Sequence, residues 1–195
     1  MTNILIVSMY SEGWNYKYQH KLYKNTIGKY AKLIIKRYYD IKGIKNALKR
    51  GKIDGIIVTG SDFFILDKKS PKIPGIIFKY NIPILAICYG LQYLAIKDGK
   101  KSNINSFKTG SKIYFKKITI KDPFKVKKLE YKYFHQDYLV GISKKYKIIK
   151  MMGKKIIIAN HKNKNILGIQ FHPEYNTKTG DEFFKKWLQH IKRVL

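Results

Sequence analysis

Four short runs of mostly β-branched apolar residues constrain the fold of this chain more than any other feature. Each has the length and composition of a buried strand. The predicted strands are residues 3–9, 31–36, 53–59 and 84–87. Helical patterns cover residues 41–50 and 89–97, and residues 74–80 fit a short helix. Because strands alternate with helices up to residue 97, the sequence predicts an α/β fold with helices on both faces of a parallel sheet.

The second half of the chain has a different pattern. Several short, β-rich segments follow one another there and are joined by turn-like stretches, which predicts an antiparallel addition to the sheet. These segments are residues 112–120, 130–134, 146–151, 155–160 and 166–171. A final amphipathic helix is predicted from Asp181 to Val194. Since no repeat, linker or low-complexity segment divides the sequence, we expect residues 1–195 to form a single domain.

Composition excludes several classes of protein. The formal net charge is +29, yet the lysines are scattered through nearly every segment and their runs are short. A solvated basic surface is therefore expected, with no specific nucleic-acid partner. No apolar stretch approaches the length needed to cross a bilayer, so we expect a soluble, cytoplasmic protein without a membrane partner. The single cysteine excludes an internal disulfide and is either an inert buried residue or a candidate nucleophile.

That cysteine lies in an informative position. Cys88 ends the apolar run 84–87 where a helical pattern begins, and Gly90 follows two positions later. A sharp turn from strand to helix exposes a side chain at the carboxyl end of the sheet and directs helix amides toward it. Such a turn favours a reactive thiolate, whereas a buried, inert cysteine remains the alternative on this residue alone.

A second motif supplies the partners that a thiolate nucleophile needs. His172, Pro173 and Glu174 follow another apolar strand, with the proline holding the histidine and the carboxylate close together. An imidazole forms an ion pair with the thiolate and protonates the leaving amine, and a carboxylate orients the imidazole. A His-Pro-Glu turn alone is commonplace, but paired with the turn at Cys88 it indicates a Cys-His-Glu catalytic triad.

In these motifs the sequence resembles the class I glutamine amidotransferases, and the resemblance covers most of the chain. Residues 54–61 resemble the oxyanion loop of the family, and residues 134–137 are similar to a glutamine-site segment. Residues 88–92, and the His-Pro-Glu motif followed by Thr177 and Gly180, look most like the amidotransferase part of GMP synthetases. The implied fold is flavodoxin-like and doubly wound, with a mostly parallel sheet flanked by helices and an antiparallel β addition.

The resemblance also implies an activity and a site. Cys88 would attack the side-chain amide of glutamine, with His172 and Glu174 completing the triad. Backbone amides of Tyr89 and the Gly60-Ser61 turn would form the oxyanion hole. Residues at family positions that line the glutamine site are Gln92, His135 and Asp137. The chemistry requires neither a metal nor an organic cofactor.

Alternatives remain open at this stage. The released ammonia could pass to a separate synthase subunit of the GMP synthetase type, or the chain could be a stand-alone γ-glutamyl hydrolase or peptidase. Gly60-Ser61-Asp62 replaces the two glycines and proline of many amidotransferase loops and is similar to loops of the γ-glutamyl hydrolases. A catalytically silent nucleic-acid-binding protein is a third alternative. The segment from Tyr10 to Tyr23 lacks the turn usual in the GMP synthetase branch and has no assigned role.

Overall fold

The computed structural model describes residues 1–106, 112–120, 126–135 and 137–195, and in the ranges 112–120 and 126–135 it describes the backbone alone. The strands are β1 (Thr2–Ser8), β2 (Ala31–Arg37), β3 (Gly55–Val58), β4 (Ile84–Ile87), β5 (Ile104–Ser106), β6 (Lys112–Ile120), β7 (Val126–His135), β8 (Asp137–Leu139), β9 (Tyr146–Met152), β10 (Lys155–His161) and β11 (Ile166–Ile169). The helices are α1 (Trp14–Asn25), α2 (Ile41–Arg50), α3 (Tyr89–Lys97) and α4 (Thr177–Val194). Short 3-10 turns cover Ile27–Lys29, Gly75–Lys79, Lys101–Asn103 and Pro173–Tyr175.

A seven-stranded sheet with the order β2-β1-β3-β4-β11-β10-β9 forms the centre of the protein. Its first five strands pair in parallel, and β10 and β9 extend the sheet by antiparallel pairing. The parallel part has the 2-1-3-4-5 strand order of flavodoxin-like, doubly wound folds. The predicted fold class is therefore confirmed, including the antiparallel addition.

One strand was assigned to the wrong part of the sheet. The sequence placed residues 166–171 in the antiparallel addition, but β11 pairs in parallel with β4 and only its other edge is antiparallel, to β10. Strand direction depends on which distant partner a segment finds, and a local apolar pattern carries no information about that partner. The remaining pairs lie outside the main sheet, with β5 antiparallel to β8 and β6 antiparallel to β7.

Two apolar layers cover the main sheet because successive residues of a strand point to opposite faces. Ile4 and Ile6 of β1 pack on the face that α1 and α4 cover. Leu5 and Val7 pack on the face that α2 and α3 cover. The large buried side chains from the helices are Tyr23, Phe183, Phe184 and Trp187 on the first face and Ile44, Leu48, Leu91 and Leu94 on the second. The parallel strands are thus buried on both faces, which explains their uninterrupted apolar runs.

The helices differ from the prediction at two places. Helix α1 begins within the segment from Tyr10 to Tyr23, for which the sequence predicted no element, and continues to Asn25. Helix α4 begins at Thr177, four residues before the predicted start, because the Asn176 side chain caps it by accepting hydrogen bonds from the amides of Lys178 and Thr179. In the described part of the chain, no helix has the length and apolar character needed to span a membrane.

Candidate active site

Three adjacent strands bring the predicted site residues to one edge of the sheet. Gly60 follows β3, Cys88 follows β4 and His172 follows β11, and these strands are parallel neighbours in the order β3-β4-β11. Since the carboxyl ends of parallel strands meet at the same edge, the three loops lie side by side. The topology therefore assembles in space a set of residues that spans more than a hundred positions of sequence.

Cys88 lies at a sharp turn between β4 and α3. Its backbone has φ +48° and ψ −98°, a conformation that residues with a side chain rarely adopt and that costs about 1–3 kcal/mol. Two backbone hydrogen bonds hold it there, from the Cys88 amide to Ile169 O at 2.7 Å and from the Gln92 amide to Cys88 O at 3.0 Å. The thiol is thus fixed at the start of α3 by the sheet on one side and the helix on the other.

Gly90 allows α3 to lie close against the sheet. A Cβ at this position would lie 3.1 Å from the carbonyl oxygen of Val58 and 3.2 Å from the Cβ of Ala86. Both neighbours belong to strands, so neither can move without disturbing the sheet. The glycine two residues after the cysteine is therefore a packing requirement of the turn.

His172 and Glu174 form a buried pair on the next loop. The Nδ1 atom of His172 lies 2.8 Å from Oε1 of Glu174, and both side chains are almost completely buried. Burial opposes the imidazolium, but the negative charges of Glu174 and of the Cys88 thiolate outweigh it and raise the pKa of His172 above its usual value of 6.5. The geometry and the charges thus favour a protonated imidazole held by a carboxylate.

Gln170 is a site residue that the sequence analysis missed. Its side chain is fully buried, and its Nε2 atom donates a hydrogen bond to Cys88 Sγ at 3.2 Å. Gln92 Nε2 lies 3.4 Å from Gln170 Oε1, which links α3 to the same contact. A glutamine in an apolar strand was the available signal, because a buried amide needs hydrogen-bond partners.

The loop after β3 contacts the imidazole directly. A Cβ built on Gly60 would lie 2.7 Å from Cε1 of His172 and 2.9 Å from Oη of Tyr10, so glycine is required for this approach. The hydroxyl of the next residue, Ser61, donates to Met9 O at 2.7 Å and accepts from the amide of Phe63 at 3.1 Å. The serine side chain is therefore engaged in holding the loop.

Three tyrosines that the sequence analysis did not single out surround the carboxylate. Tyr10, Tyr23 and Tyr175 have raised pKa values, first because of burial and also because of the negative charge of Glu174. Tyr10 and Tyr23 come from the unassigned segment, and the ring of Tyr175 lies edge-on to that of His172 with centroids 5.5 Å apart. All three remain neutral at physiological pH, so they line the carboxylate with phenol groups that add no charge.

Two of the three residues predicted to bind glutamine, Gln92 and Asp137, are buried. Gln92 Nε2 donates to the backbone oxygen of Asp137 at 2.6 Å, and both residues are buried. The Asp137 carboxylate accepts hydrogen bonds from the amide of Ile65 at 3.0 Å and from the hydroxyl of Ser106. His135 ends β7, where the side chain lies outside the described part of the structure. Contacts of these three residues with a substrate stay a prediction.

The described side chains near the site include no metal-ligand set. Within the residues whose side chains are described, no three His, Cys, Asp or Glu side chains group closely enough to hold a metal ion. The arrangement therefore consists of a thiol at a strained turn, an imidazole with a raised pKa and a buried carboxylate. Such a set can carry out nucleophilic attack on a carbonyl group followed by proton transfer to a leaving amine.

Comparisons with known proteins agree with this chemistry. The family model described as glutamine amidotransferase class-I matches residues 14–190. A GMP synthase (glutamine-hydrolyzing) from Wigglesworthia glossinidia brevipalpis is 32% identical over 185 residues, covering 83% of this chain and 35% of that protein. A subunit of the GMP synthase (glutamine-hydrolyzing) of Picrophilus torridus is 33% identical over 151 residues, covering 72% of this chain and 78% of that protein. The chain thus spans about a third of the first relative's length and most of the second's.

Solved structures share the fold. A putative GMP synthase subunit from Thermoplasma acidophilum aligns with a TM-score of 0.68 at 16% identity, over 100% of this chain and 96% of that one. The glutaminase domain of CTPS from Trypanosoma brucei, with bound acivicin, aligns with a TM-score of 0.65 at 15% identity, over 99% of this chain and 94% of that one. From the extent of the family match and the identity to these relatives, the chain belongs to the class-I glutamine amidotransferases.

Proposed function

We propose that the protein hydrolyses the side-chain amide of glutamine through a thioester on Cys88 and delivers the ammonia to a separate synthase subunit of the GMP synthetase type. The observation that carries the proposal is the arrangement around Cys88. A strained turn fixes the thiol, and on the adjacent loop Nδ1 of His172 lies 2.8 Å from the Glu174 carboxylate. The negative charges of Glu174 and of the Cys88 thiolate raise the pKa of His172. This is the arrangement that a thiolate nucleophile needs.

In the acylation step, the Cys88 thiolate attacks the amide carbon of glutamine. The resulting oxyanion accepts hydrogen bonds from the backbone amides of Tyr89 and the Gly60-Ser61 turn. The tetrahedral intermediate collapses when its C–N bond breaks, and the imidazolium of His172 gives its proton to the departing nitrogen. Ammonia leaves, and a γ-glutamyl thioester and a neutral imidazole remain.

In the deacylation step, the neutral imidazole removes a proton from water, which attacks the thioester carbon. The C–S bond breaks, glutamate is released, and the thiolate and imidazolium are restored. Glu174 supports both steps because it holds Nδ1 of His172 and thereby keeps Nε2 as the proton-transfer atom. Neither step needs an oxidant, a reductant or a metal.

Exposed apolar side chains at the edge of the sheet that carries Cys88 support a partner protein over a stand-alone hydrolase. Trp14, Tyr39, Phe64 and Leu66 are 71%, 48%, 38% and 41% exposed. They follow the carboxyl ends of β1, β2 and β3, which form the same edge as the end of β4. Large exposed apolar side chains in one region are typical of interaction surfaces. The name of the Picrophilus relative, which designates one subunit of a GMP synthase, also fits a separate partner.

The first test is covalent labelling by a glutamine-analogue electrophile, followed by intact mass. We expect one adduct on the wild-type protein, protection by glutamine, and no adduct on Cys88→Ser. Ammonia release from glutamine is measured in parallel, and glutamate release from glutamine is compared with glutamate release from a γ-glutamyl peptide. Preference for glutamine supports the amidotransferase function, whereas preference for the peptide supports the γ-glutamyl hydrolase.

The Cys88→Ser variant serves as the matched control. Cys88→Ser keeps the size of the side chain and has no thiolate, so the loss of label identifies the attacking atom. An unlabelled wild-type protein at high reagent concentration would refute the proposed activity. Salt-dependent binding to DNA or RNA that persists in Cys88→Ser would then favour the nucleic-acid-binding alternative.

A further inference from the structure

The carboxylate of Asp62 joins two parts of the chain that lie far apart in sequence. Its Oδ1 atom accepts a hydrogen bond from the backbone amide of Ser11 at 2.8 Å. Its Oδ2 atom accepts from the Ser11 hydroxyl and from Nδ2 of Asn15 at 3.0 Å. Three donors from Ser11 and Asn15, before and at the start of α1, thus converge on one partly buried side chain of the loop after β3. Hydrogen bonds to an ionised carboxylate are among the strongest that neutral donors make.

Further hydrogen bonds hold the beginning of the same loop. The Thr59 hydroxyl accepts from the amide of Met9 at 2.9 Å and donates to the carbonyl oxygen of Gly60 at 2.7 Å. Ser61 donates its hydroxyl to Met9 O at 2.7 Å. The loop from Thr59 to Asp62 is therefore bonded to the segment after β1 at both of its ends.

These bonds determine where one amide points. In a planar trans peptide the carbonyl of Gly60 and the N–H of Ser61 point in opposite directions. Because the hydroxyl of Thr59 holds that carbonyl, the Ser61 N–H is directed away from Thr59. Asp62, which follows Ser61, is itself held by the hydrogen bonds of its carboxylate. The peptide between Gly60 and Ser61 therefore cannot rotate without breaking hydrogen bonds on one side or the other. The orientation of a proposed oxyanion donor is thus set by the chain on both sides of it.

We propose that Asp62 is a positioning residue for the oxyanion hole, held in place by Ser11 and Asn15 of the otherwise unassigned segment. The inference rests on the proposed function. It links two departures of the sequence from the family pattern, the Gly60-Ser61-Asp62 loop and the altered segment after β1, because each supplies half of the same set of hydrogen bonds. In this chain Asp62 maintains by side-chain bonds the loop geometry that proline and a second glycine give many amidotransferases.

The test is Asp62→Asn, which keeps the size of the side chain but turns one acceptor oxygen into a donor. At the Oδ1 position the new nitrogen would face the Ser11 amide, which cannot accept a hydrogen bond, and at the Oδ2 position it would require the Ser11 hydroxyl and the Asn15 amide group both to turn from donors into acceptors. We expect kcat for ammonia release to fall about 10- to 100-fold, less than the loss from deleting an oxyanion donor outright. KM for glutamine should change little, because the interaction is strongest in the transition state. Ser11→Ala combined with Asn15→Ala should produce a similar loss, and adding Asp62→Asn to that pair should produce little more.

Two controls separate positioning from general damage. Asp67→Asn makes the same chemical change at an exposed carboxylate in the same loop and should leave kcat at the wild-type value. Alkylation of Cys88 by a haloacetamide proceeds without a tetrahedral oxyanion, so its rate should be the same in wild type and Asp62→Asn while labelling by the glutamine-analogue electrophile slows.

Each remaining outcome refutes the inference in a recognisable way. If kcat of Asp62→Asn equals that of Asp67→Asn, the carboxylate does not position the loop. If haloacetamide alkylation and the melting temperature fall together with kcat, the role is structural. If the wild-type protein neither labels nor releases ammonia, the proposed function fails, and the inference fails with it.

Discussion

Replacing Gly180 with alanine should damage catalysis from a position outside the triad. Gly180 lies in the first turn of α4, and a Cβ built there would lie 2.0 Å from the carbonyl oxygen of Pro173 and 3.0 Å from its carbonyl carbon. A carbon and an oxygen that are not bonded normally stay more than about 3 Å apart, so roughly 1 Å of movement is required. The obstructing atoms are backbone, and Pro173 connects His172 to Glu174. The substitution must therefore displace α4, the His-Pro-Glu turn, or both.

The expected magnitudes follow from that displacement. Overpacking of this kind costs about 1–3 kcal/mol, and a cost of about 2 kcal/mol lowers the melting temperature of a chain of this size by about 4–8 °C. A shift of about 1 Å in a catalytic group reduces the rate by about 10²-fold. We expect Gly180→Ala to show both effects, with kcat reduced far more than the folded fraction at 25 °C.

The assay is ammonia release at saturating glutamine together with thermal unfolding. Gly75→Ala is the matched control, because nothing lies within 4 Å of a Cβ at that position and the same chemical change should leave both quantities near wild type. A Gly180→Ala protein with wild-type kcat and melting temperature would refute the reasoning, since it would show that the His-Pro-Glu turn accommodates the methyl group at no cost.

Two further predictions concern the buried pair. Glu174→Gln should reduce kcat by about 10²–10⁴-fold, measured by ammonia release, because a neutral amide no longer favours the imidazolium or holds the required tautomer of His172. The raised pKa of His172 should also make stability depend on pH. The folded protein keeps the imidazole proton at pH values where the unfolded chain has lost it, so this contribution is complete below about pH 6.5 and declines as pH rises toward the raised folded-state pKa. Urea unfolding at about pH 6 and pH 9 should reveal the decline, and Glu174→Gln should diminish it.

Both predictions have outcomes that would contradict them. Near wild-type activity in Glu174→Gln would remove the carboxylate from the mechanism. A stability that is equal at the two pH values would show that the imidazole titrates in the same range in the folded and unfolded chains. A stability that changes identically in wild type and Glu174→Gln would show that Glu174 does not raise the pKa of His172.

The sequence was sufficient for features that are determined locally. The turn at Cys88 could be predicted because its buried strand, its glycine at position 90 and its helix are contiguous. The prediction missed α1 because little of its sequence marks it as a helix. Gly13 precedes it with φ +94°, no side chain in the described part of the chain caps it, and its buried residues are Gln19 and Tyr23 rather than an apolar stripe.

Features that depend on distant partners could not be predicted. The direction of β11 follows from its pairing with β4, some 80 residues earlier. The contact of Gln170 with Cys88 Sγ exists because those two strands lie side by side. Asp62 was noticed in the sequence as a departure from a loop pattern, but its hydrogen bonds come from residues about 50 positions away. The motifs proposed to be catalytic were visible in sequence, whereas the groups that hold them were not.

A single cysteine at the turn between β4 and α3 also determines how this protein responds to oxidation. A sulfenic acid formed on a protein thiol is often rescued when a neighbouring cysteine condenses with it to form a disulfide. The sequence has no second cysteine, so recovery of Cys88 depends on an external thiol such as glutathione. Oxidation beyond that stage is irreversible and removes the proposed nucleophile. Cys88 is the one thiol of this sequence, so the fraction of intact thiol in a preparation should equal the fraction that the glutamine-analogue electrophile labels.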